Sequence, residues 1–586
     1  MVDCVFRVGG EGGEGVISTG ELLTLALARA GFEIYTFRTY PAEIKGGHAN
    51  YQVRAADKLL LSQGAAVDVL MAFNEEAYQK HYKDVRPGGV ILYDSDSYTP
   101  AEDVHGVIYY GVPLTSMATE KIGIKLTKNI ISLGVLAALF EVPIEKFEGL
   151  LRDRFRKKGE AVILKNLEAL RLGVEYVKTI HKRDSIRMGS GPRTVKELVL
   201  SGNESLALGA IASGCRIYAG YPITPATDIM EFLAKELPKV GGYVIQTEDE
   251  ISAVGVVLGA SFAGTKAMTA TSGPGFSLMT EMIGLAVAAE IPAVIVDVQR
   301  VGPSTGMPTK TEQGDLYLAV YGGHGSCPRI VMALNNVEDC FYGIQRAFNL
   351  AEEFQMPVIV LSDQYLGHRK ATVPPPDLSK VQIIERRKPS AEELKNYKRY
   401  KITPDFVSPL SMPGMEGGGY VAEGLEHDEV GYPAASDHEN HLRLTQKRYG
   451  KFVAVERISN EMARIHGEEH PEIGIIGWGS SEGVIREAVQ MAQAKGYSVG
   501  ALHPKIIYPL PLARMRDFIN GAKAVIIPEL NYTGQFATLL RKRFTRDFVQ
   551  LNKSIGLPFT PKEIFDKIEE VAENVKSNRQ PDPARV

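Results

Sequence analysis

The stretch of sequence that decides the fold is IYAGYPITPATDIMEFLAKEL, residues 217–237. Its apolar run at 217–219 predicts a buried strand, the segment GYPITP at 220–225 predicts a tight turn, and the amphipathic pattern at 227–237 predicts a helix. The order of strand, turn and helix recurs downstream, with further strand candidates at 243–246, 267–270, 293–298, 329–333 and 357–362. Strands that alternate with helices predict a doubly wound, mainly parallel α/β sheet.

Two other segments of the chain show the same alternation. The N-terminal segment has a helical pattern at 17–30 and strand candidates at 5–8, 67–73, 90–93 and 106–110, which predict a parallel sheet covered on both sides. The C-terminal segment has a helical pattern at 483–494 and strand candidates at 473–476, 498–502 and 524–527. We therefore predict the α/β class with three α/β domains, at 1–180, 194–372 and 451–586. A linker at 181–193 and an irregular, proline- and glycine-rich segment at 373–450 are expected to join them.

Composition argues against several classes of protein. The chain has 586 residues, with 66 basic and 70 acidic side chains and a net charge of -4, so it lacks the basic excess of a general nucleic-acid binder. The longest uncharged stretch, 251–265, is shorter than the ~20 apolar residues of a membrane span. The N-terminus shows no secretory signal, and the few cysteines fit a reducing cytoplasm. Local spacing excludes an iron–sulfur or zinc cage built from Cys4, Cys215, Cys327 and Cys340, so no metal site is expected in this chain.

A glycine-rich loop follows the first predicted strand. The motif Gly10-x-Gly12-x-x-Gly15 stands between a strand and a helix, where backbone amides can approach a phosphate. A dinucleotide site is disfavoured because strand 33–39 ends without the acid that holds the ribose, and because Glu14 would repel a pyrophosphate. A structural turn and a different nucleotide-like ligand remain as alternatives. In the second case the expected contacts are Gly10, Gly12, Gly13, Gly15 and Lys45.

Two residues of the second segment have both a structural and a chemical interpretation. Thr224 precedes Pro225 and is placed to be a helix N-cap. Thr247 and Glu250 form a T-x-x-E capping box. However, Glu250 also precedes the uncharged stretch 251–265, which predicts a deeply buried helix. A carboxylate at the mouth of such a helix is costly unless it is paired or used, so Glu250 is a candidate proton partner for a heterocyclic nitrogen.

Two loops leave the carboxyl ends of neighbouring predicted strands, where open α/β sheets bind ligands. The first is Ser272-Gly273-Pro274-Gly275, and the second runs through residues 300–310. Arg300 is a candidate clamp for a carboxylate, with the hydroxyls of Thr305 and Thr309 as additional donors. The alternative for Arg300 is a surface ion pair.

Together these motifs resemble those of the 2-oxoacid:ferredoxin oxidoreductases. The residues that resemble the α subunit of this family are 221–225, 246–255, 271–275 and 297–315. The loop at 9–15, with Lys45-Gly46-Gly47, resembles the γ domain, and the third segment is similar to a transketolase C-terminal-like domain. The resemblance implies a γ-type domain, a thiamine pyrimidine-binding-like domain and a transketolase C-terminal-like domain. A γ–α fusion of this layout most resembles the 2-oxoglutarate enzymes.

The resemblance implies an activity and roles for individual residues. The reaction converts 2-oxoglutarate, coenzyme A and oxidised ferredoxin to succinyl-CoA, carbon dioxide and reduced ferredoxin, or runs in reverse. Glu250 matches the catalytic glutamate that bonds the aminopyrimidine of thiamine diphosphate. The substrate side is matched by Thr224, Arg300, Thr305 and Thr309, and the thiamine region also contains Tyr221, Pro222, Ile223, Ser272 and Gly273. The glycine loop, with Lys45, would contact coenzyme A. The alternatives are the same chemistry on pyruvate, branched-chain 2-oxoacids or indolepyruvate, and a non-catalytic scaffold or regulatory subunit.

The chain matches only half of a thiamine site. The family holds Mg²⁺ and the diphosphate through a Gly-Asp-Gly motif followed by asparagines, and the nearest segment here is Gly314-Asp315-Leu316. The resemblance therefore implies a β subunit that supplies the diphosphate motif, Mg²⁺ and a [4Fe-4S] cluster, and that shares the thiamine diphosphate. The expected assembly is (γα)2β2, with ferredoxin as electron acceptor and no activity without the β subunit.

Overall fold

A computed structural model describes residues 2–41, 46–101, 104–193 and 197–577. Within these residues the strands, numbered in chain order, are β1 Asp3–Glu11, β2 Glu33–Thr39, β3 His48–Ala56, β4 Val67–Ala72, β5 Val85–Asp94, β6 Ile108–Val112, β7 Leu198–Ser201, β8 Ile217–Gly220, β9 Tyr243–Gln246, β10 Ala267–Thr271, β11 Ala293–Gln299, β12 Ile330–Ala333, β13 Pro357–Asp363, β14 Lys370–Val373, β15 Arg464–Gly467, β16 Ile473–Ile476, β17 Val499–His503, β18 Ile506–Tyr508, β19 Ala524–Glu529 and β20 Val549–Asn552.

The α-helices of the same residues are α1 Val16–Arg29, α2 Glu75–His81, α3 Leu114–Ser116, α4 Lys128–Leu139, α5 Ile144–Phe155, α6 Glu160–Val177, α7 Gly202–Ala212, α8 Thr227–Glu236, α9 Glu250–Phe262, α10 Gly273–Leu278, α11 Thr280–Ala288, α12 Leu316–Tyr321, α13 Val337–Phe354, α14 Gln364–His368, α15 Ala391–Leu394, α16 His438–Gly450, α17 Phe452–Met462, α18 Glu482–Ala494, α19 Leu512–Gly521, α20 Gln535–Arg541 and α21 Pro561–Lys576. None of these helices is long and apolar enough to cross a membrane.

The first of two compact units comprises Met1–Leu200 and His368–Pro375. Its sheet has the strand order β6-β5-β4-β1-β3-β2-β14-β7. Strands β1, β4, β5 and β6 are parallel to one another, but β3 is antiparallel to both β1 and β2. The prediction of a parallel sheet is therefore wrong for the part of the sheet that contains β3. Strand β3 was not predicted from the sequence, because buried polar side chains interrupt its apolar pattern, namely Asn50, Gln52 and Arg54. Gln52, for example, donates from Nε2 to the carbonyl of Gln63 at 2.7 Å.

The second unit comprises Ser201–Gly367 and Pro376–Val586 and contains two sheets. One has the order β18-β12-β13-β11-β10-β8-β9 and is parallel apart from β18, and the other has the order β15-β17-β16-β19-β20 and is parallel apart from β15. Every strand predicted for this unit is present within two residues of its predicted bounds. The α/β class is confirmed. The two sheets share one apolar core, to which the C-terminal segment contributes Trp478 and Phe518.

The segment predicted to be irregular contains a regular helix, α16. Its first turn is capped by Asp437, whose carboxylate accepts from the backbone N–H of Asn440 at 2.9 Å. The helix carries little apolar periodicity, because it is anchored by charge instead: Lys447, and Lys451 directly after its last residue, both donate to the buried carboxylate of Glu290. Burial alone would raise the pKa of Glu290, but the two ammonium groups hold it well below its ordinary value. Helix α16 therefore cannot be predicted from a periodic apolar face.

The seven-stranded sheet has a topological switch beside β8. The chain leaves β8 through α8 to reach the edge strand β9, and then returns to place β10 on the other side of β8. Connections on opposite sides of the sheet open a crevice at the carboxyl ends of the strands, which is where open α/β sheets bind ligands. The fold thus places the loops after β8, β9, β10 and β11 at one edge.

Candidate functional site

These four loops carry the residues predicted for the second domain's site. Tyr221, Pro222, Ile223 and Thr224 follow β8, and Glu250 follows β9. Ser272 and Gly273 follow β10, and Arg300 follows β11. Because the strands are parallel neighbours, the structure brings these predicted residues to a common edge of the sheet.

Thr224 is not a helix cap. The peptide bond between Thr224 and Pro225 is cis, and α8 begins later, with Ala226 as its N-cap residue. The prediction of a capping hydroxyl is therefore wrong. The backbone carbonyl of Thr224 instead accepts a hydrogen bond from Arg300 Nη1 at 2.6 Å. This contact joins two residues that the sequence placed on the substrate side.

Glu250 is not part of a capping box either. The N-cap of α9 is Asp249, whose side chain accepts from the backbone N–H of Ser252 at 2.7 Å, while the Thr247 hydroxyl donates to the carbonyl of Asp249. Glu250 is the first residue of the helix, and only 6% of its surface is exposed. The described residues offer its carboxylate no hydrogen-bond donor. A buried carboxylate without a partner is costly, which favours a ligand as its partner.

A glycine in the first turn of α10, directly after β10, makes room for this carboxylate. A Cβ atom on Gly275 would lie 2.3 Å from Glu250 Oε1 and 2.2 Å from Thr271 Oγ1. Any side chain at Gly275 would therefore displace Glu250 or Thr271. In the same turn Ser272 is fully buried, and its hydroxyl has no hydrogen-bond partner among the described residues. The Glu250 carboxylate of α9 and the Ser272 hydroxyl after β10 are thus both available to a ligand.

Arg300 is a buried cation and not a surface ion pair. It is 7% exposed, its Nε has no partner among the described residues, and none of their carboxylates forms an ion pair with it. Burial lowers the pKa of its guanidinium, and attraction to Asp315 partly offsets this effect. A buried guanidinium with free donors is suited to bind a carboxylate.

The two threonines predicted beside Arg300 are placed differently. Residues 301–310 form a small hairpin in which Val301 pairs with Met307. Thr309 is buried at the base of this hairpin, whereas Thr305 is exposed near its tip. The structure shows no contact between either hydroxyl and Arg300.

Sequence reasoning missed an acidic pair next to these loops, formed by the fully buried Asp297 and the half-buried Asp315. Asp297 lies on β11, fully buried, and its carboxyl group is within hydrogen-bonding reach of that of Asp315. Burial raises the pKa of Asp297 well above its ordinary value, with a further contribution from Asp315. Burial also raises the pKa of Asp315, to about 6. No signal in the sequence joins them, because Asp297 stands inside an apolar strand and Asp315 in a distant loop.

Helix α9 is not deeply buried on all sides, contrary to the prediction from its uncharged sequence. Ile251 is 46% exposed and Leu278, at the end of α10, is 49% exposed. Tyr221 is 43% exposed in the loop after β8. We call these three side chains the apolar rim of the site. Exposed apolar side chains around a buried charged site are typical of a protein–protein interface.

The predicted glycine loop lies in the first unit. Gly10 belongs to β1, and the turn itself is formed by residues 12–15, with positive φ at Gly13 and Gly15. The turn is fastened to the neighbouring strand by a hydrogen bond from Gly12 N to the carbonyl of Gly47 at 2.8 Å. Lys45 lies outside the described residues. Helix α1 begins directly after the turn, so its free N–H groups face the space beside it.

Glu14 does not leave this turn with an uncompensated negative charge. Its carboxylate accepts from Lys128 Nζ at 2.9 Å, from Asn74 Nδ2 at 3.1 Å and from the backbone of Glu11 at 2.8 Å. The expected repulsion of a phosphate is therefore reduced. Lys128 and Asn74 are residues that sequence reasoning missed, because both are remote from the turn in the chain.

Comparisons with known proteins find similar proteins for nearly the whole chain. Three family models match in series: "Pyruvate ferredoxin/flavodoxin oxidoreductase" over 5–176, "Pyruvate flavodoxin/ferredoxin oxidoreductase, thiamine diP-bdg" over 208–447, and "Pyruvate:ferredoxin oxidoreductase core domain II" over 471–555. Subunit alpha of 2-oxoacid:ferredoxin oxidoreductase 2 from Aeropyrum pernix is 34% identical, covering 92% of this chain and 93% of that one. The 2-oxoglutarate oxidoreductase subunit KorA of Mycobacterium tuberculosis is 32% identical, covering 96% and 91%.

A solved structure is similar over nearly the whole length. The 2-oxoglutarate:ferredoxin oxidoreductase from Magnetococcus marinus, with 2-oxoglutarate, coenzyme A and succinyl-CoA bound, superimposes with a TM-score of 0.93 at 42% sequence identity. The alignment covers 97% of this chain and 99% of that one.

Proposed function

Because this chain belongs to the 2-oxoacid:ferredoxin oxidoreductase family, we propose that it is the γ–α subunit of an enzyme that interconverts 2-oxoglutarate and succinyl-CoA. In the oxidative direction coenzyme A and oxidised ferredoxin are consumed, and carbon dioxide and reduced ferredoxin are released. The choice of 2-oxoglutarate is supported by the names of a relative and of the similar solved structure. The observation that carries the proposal is the presence, at one sheet edge, of a buried carboxylate and a buried guanidinium, neither of which forms an ion pair with any of the described residues.

Glu250 is the residue that fits the aminopyrimidine half of thiamine diphosphate. Its carboxylate is buried, unpartnered within the described residues, and accommodated by the missing side chain of Gly275. When bound, the coenzyme supplies a nucleophilic carbon and an electron sink for decarboxylation. In this proposal Glu250 holds a proton between its carboxylate and a ring nitrogen, and the buried Ser272 hydroxyl contributes a polar contact in the same turn.

Arg300 and Thr224 form the substrate side of the proposed site. The Thr224 carbonyl fixes one guanidinium nitrogen of Arg300, which leaves the remaining donors to bind the carboxylate next to the keto group. Fixing the guanidinium before the substrate arrives reduces the entropy that binding must overcome. Thr309 and Thr305 remain proposals as additional donors, because the structure shows no contact that ties them to Arg300.

A β subunit would complete the coenzyme site. The segment Gly314-Asp315-Leu316 does not fit Mg²⁺ or a diphosphate: Gly314 accepts through its carbonyl from Gln535, and the Asp315 carboxyl faces Asp297 and Gly273. We assign the diphosphate motif, Mg²⁺ and the [4Fe-4S] cluster to this partner, in a (γα)2β2 assembly that reduces ferredoxin. The apolar rim of Tyr221, Ile251 and Leu278 is the surface that the β subunit would cover.

The turn at 12–15 is the proposed contact for the phosphates of coenzyme A. It combines backbone N–H groups at the start of α1 with a charge balance at Glu14 that depends on Lys128. The γ-type domain at 1–180 would thus bind the acyl acceptor, while the domain at 194–372 binds the coenzyme and the 2-oxoacid. In this proposal the transketolase C-terminal-like domain at 451–586 completes the apolar core that it shares with the domain at 194–372.

Replacing Lys128 with methionine tests the contact with coenzyme A. The substitution leaves the Glu14 charge uncompensated, so we expect the KM for coenzyme A to rise on the order of tenfold, with the KM for the 2-oxoacid unchanged. The matched control is Lys125→Met, because Lys125 is exposed three residues earlier. An unchanged KM for coenzyme A in K128M would show that the turn at 12–15 does not contact the phosphates of coenzyme A.

Turnover of the reconstituted complex tests the function itself. The chain is purified with its β subunit, and ferredoxin reduction is measured with 2-oxoglutarate, pyruvate, 2-oxoisovalerate and indolepyruvate. We expect the highest kcat/KM with 2-oxoglutarate, and no turnover by the chain alone. Preference for another acid would overturn the choice of substrate. A complex that assembles but turns over none of the acids would favour a scaffold or regulatory subunit.

A further inference from the structure

The acidic pair formed by Asp297 and Asp315 has no role in the proposed function. Asp297 is completely buried on β11, and neither of its carboxyl oxygens receives a hydrogen bond from a donor group of the described residues. Its neighbour is the carboxyl group of Asp315, at the N-terminus of α12. A fully buried carboxyl group is not ionised together with a second carboxyl group in contact with it, because the repulsion of like charges is large at such a site.

The pair also lies next to both the thiamine region and the substrate side of the proposed site. A Cβ atom on Gly273, in the turn of the thiamine region, would lie 2.8 Å from Asp315 Oδ2. Asp297 is aligned in the sheet with Thr271, whose hydroxyl borders Glu250. The backbone N–H of Asp315 donates to Gln299 Oε1 at 3.1 Å, next to Arg300. The pair is thus built into the loops that carry Glu250 and Arg300.

We propose that Asp297 and Asp315 share one proton, and that the single negative charge of the pair balances the Arg300 guanidinium and limits its affinity for the substrate carboxylate. The role given to Arg300 here rests on the proposed function. Asp297 is the protonated member, since it is fully enclosed, and Asp315 is the ionised member, since it is the one that attracts Arg300. Asp315 and Asp297 are positioning residues in this account, because they act through Arg300.

The charged groups around the pair are consistent with this assignment. Asp315 faces Asp297, Glu312 and Arg300. The Glu312 charge disfavours the ionised form of Asp315, whereas its contact with Asp297 and the charge of Arg300 favour it. Among the described residues, Asp315 is the one group that influences the ionisation of Asp297. The pair therefore carries one charge at neutral pH, located on the side of Arg300.

Infrared spectroscopy of the full chain tests the shared proton independently of any activity. At pH 8 the difference spectrum between wild type and Asp297→Asn should contain one band of a protonated carboxyl group. Asn keeps the shape and a donor toward Asp315, so the variant is expected to fold. The control is Asp68→Asn, since Asp68 is a buried aspartate that accepts from Val5 N at 2.7 Å and pairs with Arg86. Absence of the band in the D297N difference spectrum overturns the proposal.

Kinetics of the reconstituted complex test the effect on Arg300. Asp315→Asn removes the negative charge that balances Arg300. The KM for the 2-oxoacid should therefore fall about tenfold, the effect expected when one charge near a partly buried binding site is lost. In D297N, where the charge persists, the KM should stay within about twofold of wild type. A raised KM in D315N would indicate structural damage and overturn the proposal. If wild type turns over no 2-oxoacid, the proposed function fails, whereas the infrared result still decides the shared proton.

Discussion

Replacing Glu250 with glutamine is expected to lower turnover of the reconstituted complex by a factor on the order of 10²–10⁴, the contribution usual for a general acid–base group. Glutamine has the shape of glutamate but cannot hold or release the proton. The described residues give the Glu250 carboxylate no hydrogen bond, so the substitution leaves no group of the fold without its partner. The measurement is ferredoxin reduction at saturating 2-oxoglutarate and coenzyme A.

The matched control for this prediction is Glu248→Gln. Glu248 is two residues earlier in the same loop but is exposed. E248Q should keep wild-type turnover, and both variants should co-purify with the β subunit and melt at the wild-type temperature. If E250Q forms the complex and turns over substrate at the wild-type rate, Glu250 has no catalytic role.

Replacing Arg300 with lysine is expected to raise the KM for the 2-oxoacid on the order of 100-fold, since a point charge cannot replace a bidentate guanidinium. Lysine cannot bond the Thr224 carbonyl and present two parallel donors to a carboxylate at the same time. We expect kcat to change less than KM, because an interaction of this kind is made in both the ground state and the transition state. Steady-state kinetics with varied 2-oxoglutarate measure both constants.

Arg216→Lys provides the comparison for Arg300. Arg216 also donates from Nη1 to a backbone carbonyl, that of Cys215 at 2.8 Å, but it lies next to the amino end of β8, away from the crevice. R216K should leave the KM for the 2-oxoacid unchanged. A KM in R300K equal to that of R216K would exclude Arg300 from the substrate side, and the KM for coenzyme A should not change in either variant.

Prediction from the sequence was most accurate for strands and helices whose buried apolar residues follow a regular pattern. The strands of the second unit are short apolar runs between turns, and the structure has them within two residues of the expected bounds. Strand β3 was missed because buried Asn50, Gln52 and Arg54 interrupt the apolar pattern, and helix α16 because a buried Glu290 with two lysines holds it. In both cases polar partners that are remote in sequence provide the stability that apolar periodicity usually provides.

The chemistry of the site was predicted only in part, for a similar reason. Thr224 and Glu250 stand in patterns that also describe helix caps, and only the backbone decides that Asp249 and Ala226 are the N-cap residues. Burial of Glu250 was expected from the uncharged stretch that follows it, whereas for Arg300 a surface ion pair remained an alternative. Only the structure shows that neither group forms an ion pair within the described residues. The Asp297–Asp315 contact depends entirely on tertiary packing, so no local pattern reveals it.

The proposed coenzyme site is divided between two subunits, with Glu250 on this chain and the diphosphate on its partner. The most direct measurement is a structure of this chain with its β subunit and thiamine diphosphate. We expect the Glu250 carboxylate to lie within hydrogen-bonding distance of the aminopyrimidine nitrogen and the diphosphate to be held by the β subunit. A diphosphate bound by this chain, or a Glu250 carboxylate directed away from the ring, would contradict it.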